Sequence, residues 1–179
     1  MELRGSREVI SERLGVEVEF LAYPYGEASL AVMEAAEAAG YRAAFGQHSG
    51  AVGSIGDNLF YLPRFAVNEA YGDLGSLGVK IRSLPFGVYD FRPLDPIIVG
   101  DELVEVRFRS VDGFGGVNCF HSDFGLVKGV VDGDEYVLGF GGVFGYGRSR
   151  LNCTMKSGDR FRWFGWQFVR YGADGQGVD

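Results

Sequence analysis

Few side chains in this sequence are of the kinds that do chemistry, and they are widely spaced. The stretch Phe20-Leu21-Ala22-Tyr23-Pro24-Tyr25-Gly26 carries an apolar run to a proline and then a glycine. A residue before proline is pushed toward extended geometry, so Tyr23 ends a strand. Gly26 permits a tight exit that a Cβ would hinder. Glu27 then stands where a negative charge suits a helix start. A strand entering such a loop exposes Tyr25 at an edge where β/α architectures place their chemistry. His48, in Gly46-Gln47-His48-Ser49-Gly50, is one of two histidines in the chain. It reads as a proton-transfer group at a strand end or, more plainly, as a loop residue bonded to backbone. Trp163 and Trp166 offer flat faces that suit pyranose rings, or else fill a core. Three residues apart on a regular strand, they face opposite sides. Trp166 shares its face with Phe164 and Phe168 and is assigned to the core; Trp163 is assigned to the more exposed face.

The elements that must hold these residues change character along the chain. Leu3, Val9, Ile10 and Leu14 keep near-helical spacing up to Gly15, a plausible stop. Residues 16–23 read as a buried strand, 27–39 as an amphipathic helix ended by Gly40, and 41–45 and 60–65 as further strands. Residues 73–83 read as a glycine-weakened helix. This alternation is an α/β signature. Pro85, Pro93 and Pro96 mark a shift in composition. Beyond them short strands are expected at 103–109, 117–121, 126–131 and 136–140. Asp132-Gly133-Asp134 and Ser157-Gly158-Asp159 give hairpin-turn signals. Strands at such spacing argue an antiparallel sandwich.

Composition limits the possibilities. At 179 residues, 46% hydrophobic and 15% aromatic, the chain can bury a core of one or two domains. A net charge of −7 provides no basic footprint for nucleic acid. No apolar run is long enough to span a bilayer. Met1-Glu2-Leu3-Arg4 leads straight into helical pattern, without a secretory signal, so the chain as it stands reads as cytoplasmic. Cys119 and Cys153 form either a buried thiol pair or a sandwich-crossing disulfide. Asp123-Phe124-Gly125 and the two Gly-Phe-Gly-Gly stretches lack the spacing of kinase or phosphate-binding motifs.

Ser6-Arg7-Glu8, Leu14-Gly15, Ala22-Tyr23-Pro24-Tyr25-Gly26, Ala39-Gly40-Tyr41-Arg42-Ala43-Ala44-Phe45 and Leu62-Pro63-Arg64-Phe65 stand in the order seen in one enzyme family. The chain resembles the C-terminal half of a polysaccharide deacetylase, a hydrolase removing N- or O-acetyl groups from glycans. The aromatic stretch from Arg160 to Val169 resembles a β-domain that follows some of these barrels. The resemblance implies a partial, distorted β/α barrel over residues 1–83 and an accessory β-sandwich over 84–179. It implies that the Tyr25 amide stabilises an oxyanion and that Arg64 orients a carboxylate supplied from upstream; a surface salt bridge is the other reading of Arg64. Tyr23, Pro24, Gly26, His48 and Trp163 are the candidate substrate-binding residues. The family's paired aspartates and its His-x-x-x-His are missing here, so no cofactor is expected in this chain. A zinc-like divalent metal is expected only in a full-length protein. The expected partner is an acetylated glycan, with homodimerisation through exposed barrel edges. Failing catalysis, the β-domain reads as a glycan- or protein-binding module.

Overall fold

The computed structural model describes residues 2–53, 57–69 and 72–173. Helix α1 (Glu2–Leu14) ends at Gly15, whose φ of +64° makes the left-handed stop. Strand β1 (Phe20–Ala22) enters the Pro24–Gly26 turn. Helix α2 (Leu30–Ala38) starts at Ser29, not Glu27, because the Ser29 hydroxyl accepts the Val32 N–H at 3.2 Å. Strand β2 (Ala43–Phe45) lies parallel to β1. Helix α3 (Leu74–Ile81) is capped by Asp73, which accepts the Ser76 N–H at 2.9 Å.

The expected partial β/α barrel is not what this sequence builds. Among the described residues there are three α-helices against twelve strands, and the chain is mainly β. The two strands of the first part are three residues each, and a single bridge from Phe45 to Leu62 is all that residues 60–65 add. Helix–strand alternation is present, but a pair of three-residue strands cannot curve into a barrel wall.

The rest of the chain forms two sheets. Strands β3 (Leu84–Pro85), β4 (Val88–Arg92), β5 (Ile97–Val99), β6 (Glu105–Ser110), β7 (Val117–His121) and β8 (Gly125–Val127) come first. Then follow β9 (Val130–Asp132), β10 (Glu135–Gly139), β11 (Gly147–Ser157) and β12 (Arg160–Tyr171). One sheet runs β4-β6-β10-β9; the other runs β3-β12-β11-β7-β8, with β5 also on β12. The second sheet is mixed, since β3 and β5 run parallel to β12. The expected single strand at 126–131 is two strands, β8 and β9, which cross from one sheet to the other. Phe91 and Phe108 of the first sheet meet Phe164 of the second at 5.2 and 6.1 Å. Residues from Tyr23 to Phe168 join one connected core. Gly133 (φ +63°) and Gly158 (φ +62°) make the β9–β10 and β11–β12 turns, as their sequence signals require.

Cys119 and Cys153 face each other across β7 and β11 and are disulfide-bonded, within one sheet and not across the sandwich. Their separation of 34 residues sets the entropy that the bridge removes from the unfolded chain. Replacing both by alanine is expected to cost about 3–4 kcal/mol in urea unfolding. An unchanged midpoint would show that the bridge contributes nothing.

Candidate functional site

The loop at residues 23–26 is held from two sides. Tyr23 is buried, and its hydroxyl donates to the Phe60 carbonyl at 2.9 Å. Burial pushes that phenol up to about 12. Tyr23 is thus anchored in the core, and with Pro24, Leu3 and Leu21 it also lines a cavity on that side of the loop. Pro24 and Tyr25 are exposed, and Tyr25 takes a left-handed conformation (φ 56°, ψ 8°). The turn's own carbonyls use the N–H groups of Gly26 and Glu27, leaving that of Tyr25 outside the turn. A Cβ on Gly26 would collide with the Gln47 backbone N and lie 2.5 Å from its Cβ, so only glycine fits. From the other side, β12 and β11 grip the loop. Gln167 donates to the Tyr25 carbonyl at 3.2 Å, and the Arg148 guanidinium sits 4.8 Å from the Tyr25 ring centroid.

β12 explains the seam between the two parts of the chain. On the side away from β11 it pairs with β3 at Arg162–Trp163 and with β5 at Val169–Tyr171. Between them residues 164–168 have no strand beside them. Residues from the first part enter that gap: the Ala51 N–H donates to the Trp163 carbonyl at 3.3 Å, and the Tyr61 hydroxyl reaches the Gln167 carbonyl at 3.4 Å. The same hydroxyl lies 3.1 Å from the Gly26 carbonyl, tying the gap to the Tyr25 loop.

A cavity of about 370 Å³ opens in this gap. His48, Tyr61, Phe91, Trp163 and Trp166 form its aromatic walls, and Asp90 and Arg92 stand at its rim. The volume lies at the small end of the range for small-molecule sites. Trp166 is 7% exposed, in agreement with its assignment to the core, and packs at a tilt against Phe91 with ring centroids 4.6 Å apart. Trp163 is partly buried; its indole N–H donates to Asn152 at 3.3 Å and its ring meets Phe65 edge-on at 5.1 Å.

His48 lies in the loop that follows β2 and is buried there. It is 2% exposed, with its ring 4.6 Å from Tyr61 and 5.9 Å from Trp166. Burial lowers its pKa to about 3, aided by the Arg150 charge and opposed by a hydrogen bond to the Tyr61 backbone. The ring is thus neutral at ordinary pH. His48 Nδ1 and Trp166 Nε1 are both buried without a hydrogen-bond partner among the described residues. Arg64 lies apart from the cavity walls. Its side chain is exposed and makes no ion pair among the described residues, while its backbone N–H donates to the His48 carbonyl at 2.9 Å.

Of the sequence candidates, the structure brings His48 and Trp163 to one cavity and Tyr25 to an adjoining loop. Sequence reasoning missed Tyr61, Phe91 and Asp90. The cause at Asp90 is local: β4 shifts register between Tyr89 and Arg92, and Asp90 adopts φ 50°. That bulge turns Phe91 into the core and Asp90 to the rim. Nothing in the residue types around it signals a bulge.

The other histidine does not join this site. His121 is fully buried among Phe124, Phe140, Phe144 and Phe168, and its Nδ1 accepts the Asp123 N–H at 3.2 Å. Among the described residues no group of three or more His, Cys, Asp or Glu side chains is placed to hold a metal. No helix among them is long and apolar enough to cross a membrane. No protein-family model matches the chain, and no curated protein matches it.

Proposed function

We propose that this chain is the glycan-facing, C-terminal part of a polysaccharide deacetylase and does not cleave acetyl groups by itself. The observation that carries the reading is the Tyr25 loop. It sits at the C-terminal ends of two parallel strands, is locked by Gly26 and Gln167, and keeps the Tyr25 N–H outside its own turn. A fixed backbone N–H at a strand end is suited to a developing oxyanion, because it needs no reorganisation when charge appears. Such enzymes rely on a divalent metal to activate water. The described residues do not fit one, since both histidines are buried in separate aromatic surroundings. The role proposed for this chain is to hold the acetylated glycan.

The chain is expected to release no acetate from N-acetylglucosamine oligomers above background, with or without added zinc. The same oligomers are expected to shift the backbone amide signals of Tyr25 and Gly26 in NMR spectra. Acetate release abolished by a chelator would overturn the non-catalytic role. Unmoved Tyr25 and Gly26 signals at saturating oligomer would overturn the glycan-facing one.

A further inference from the structure

We infer that the cavity beside β12 is a second, separate binding site, and that it takes one neutral pyranose ring. This goes beyond the Tyr25 loop and does not depend on the deacetylase reading. The walls are aromatic, and Trp163, which is only partly buried, suits the C–H face of a sugar ring. The rim carries both signs of charge. Asp57 accepts the Gly53 N–H at 2.6 Å and Asp90 pairs with Arg109 at 3.3 Å, while Arg92 makes no ion pair among the described residues. A rim of mixed sign favours neither a cation nor an anion, whereas planar carboxylate and guanidinium groups pair well with adjacent hydroxyls.

Asp90 supplies an independent sign of function. A non-glycine residue held at φ 50° inside a strand is strained, and such strain gathers at ligand sites. At about 370 Å³, with His48 and Ala51 of the first part among its lining, the cavity has room for a ring rather than a long chain.

The test uses the full chain, whose only two tryptophans both line the cavity. Their fluorescence and their two indole N–H signals are followed during titration with tetramers of glucose and of N-acetylglucosamine. Both indoles are expected to shift with the glucose tetramer, which has no acetyl group. Trp163→Ala is expected to weaken binding roughly tenfold. Asp90→Gly is expected to weaken it several-fold while the melting temperature stays level or rises, since glycine relieves the φ 50° strain. A purely structural Asp90 would not give a stable variant with weaker binding. No indole shift with either oligomer at about 10 mM would overturn the inference. So would sugar binding that both variants leave untouched, or a cavity that takes an apolar dye but no sugar. Shifts at Tyr25 and Gly26 without the indoles would sink this site and leave the deacetylase reading standing. Indole shifts with neither oligomer reaching Tyr25 would do the reverse.

Discussion

Gly165→Ala is expected to destabilise the protein by about 3 kcal/mol and to abolish sugar binding at the cavity. A Cβ at this position falls on the Ser49 carbonyl oxygen, with the Ser49 carbonyl carbon at 3.0 Å and its nitrogen at 3.2 Å. All three are backbone atoms, so no side-chain rotation can make room. Relief requires residues 46–51 to lift from β12, which breaks the Ala51 N–H bond to the Trp163 carbonyl. Overpacking of this kind costs ~1–3 kcal/mol, and rigid backbone puts it at the upper end. For a chain of this length that lowers the melting temperature by about 6–12 °C. Gly139→Ala is the control: Gly139 lies in β10 with nothing within 4 Å of a built Cβ, and its cost should stay within ~0.5 kcal/mol. A Gly165→Ala protein melting with the wild type would show that residues 46–51 do not lie on β12.

The same contact explains why this site resisted reading from sequence. Strand alternation presumes one dry face and one wet face. Residues 165–170 of β12 are buried on both, because the first part of the chain covers the face that alternation assigns to solvent. Trp166 could still be placed correctly, since its face carries Phe164 and Phe168. Trp163 was harder: its half-buried state depends on Phe65 and Asn152, one of them a hundred residues distant in the chain. The burial of His48 is hidden for the same reason, as its local neighbours are polar and small while Tyr61 and Trp166 bury it. Two-residue turns at Gly133 and Gly158 were legible because they need only local φ. The expected barrel fails because helix–strand alternation says nothing about how many residues of each strand find a partner. Only three pair in β1 and three in β2.

Lowering the pH from 8 to 5 is expected to remove about 4 kcal/mol of stability, about 2 kcal/mol for each histidine. Burial holds both rings neutral in the folded protein. It lowers the pKa of His48 to about 3, and that of His121 to about 4 against the opposing pull of Asp123. The unfolded chain protonates both near 6.5. Below that pH the unfolded state takes up two protons that the folded state refuses. Stability is therefore complete above about 6.5 and falls with pH until the folded values are reached. Each excluded proton costs about 1.36 kcal/mol per pH unit, and few carboxylates titrate above pH 5. Urea unfolding at several pH values measures the slope directly. His121→Asn keeps an oxygen where Nδ1 accepts the Asp123 N–H at 3.2 Å, but cannot titrate. It is expected to halve the slope whatever it does to the absolute stability, and adding His48→Asn to remove the remaining half and leave a flat profile. A wild-type stability that does not change between pH 8 and 5 would mean that water reaches both imidazoles. The closed aromatic packing around His48 would then be wrong, and with it the wall of the cavity.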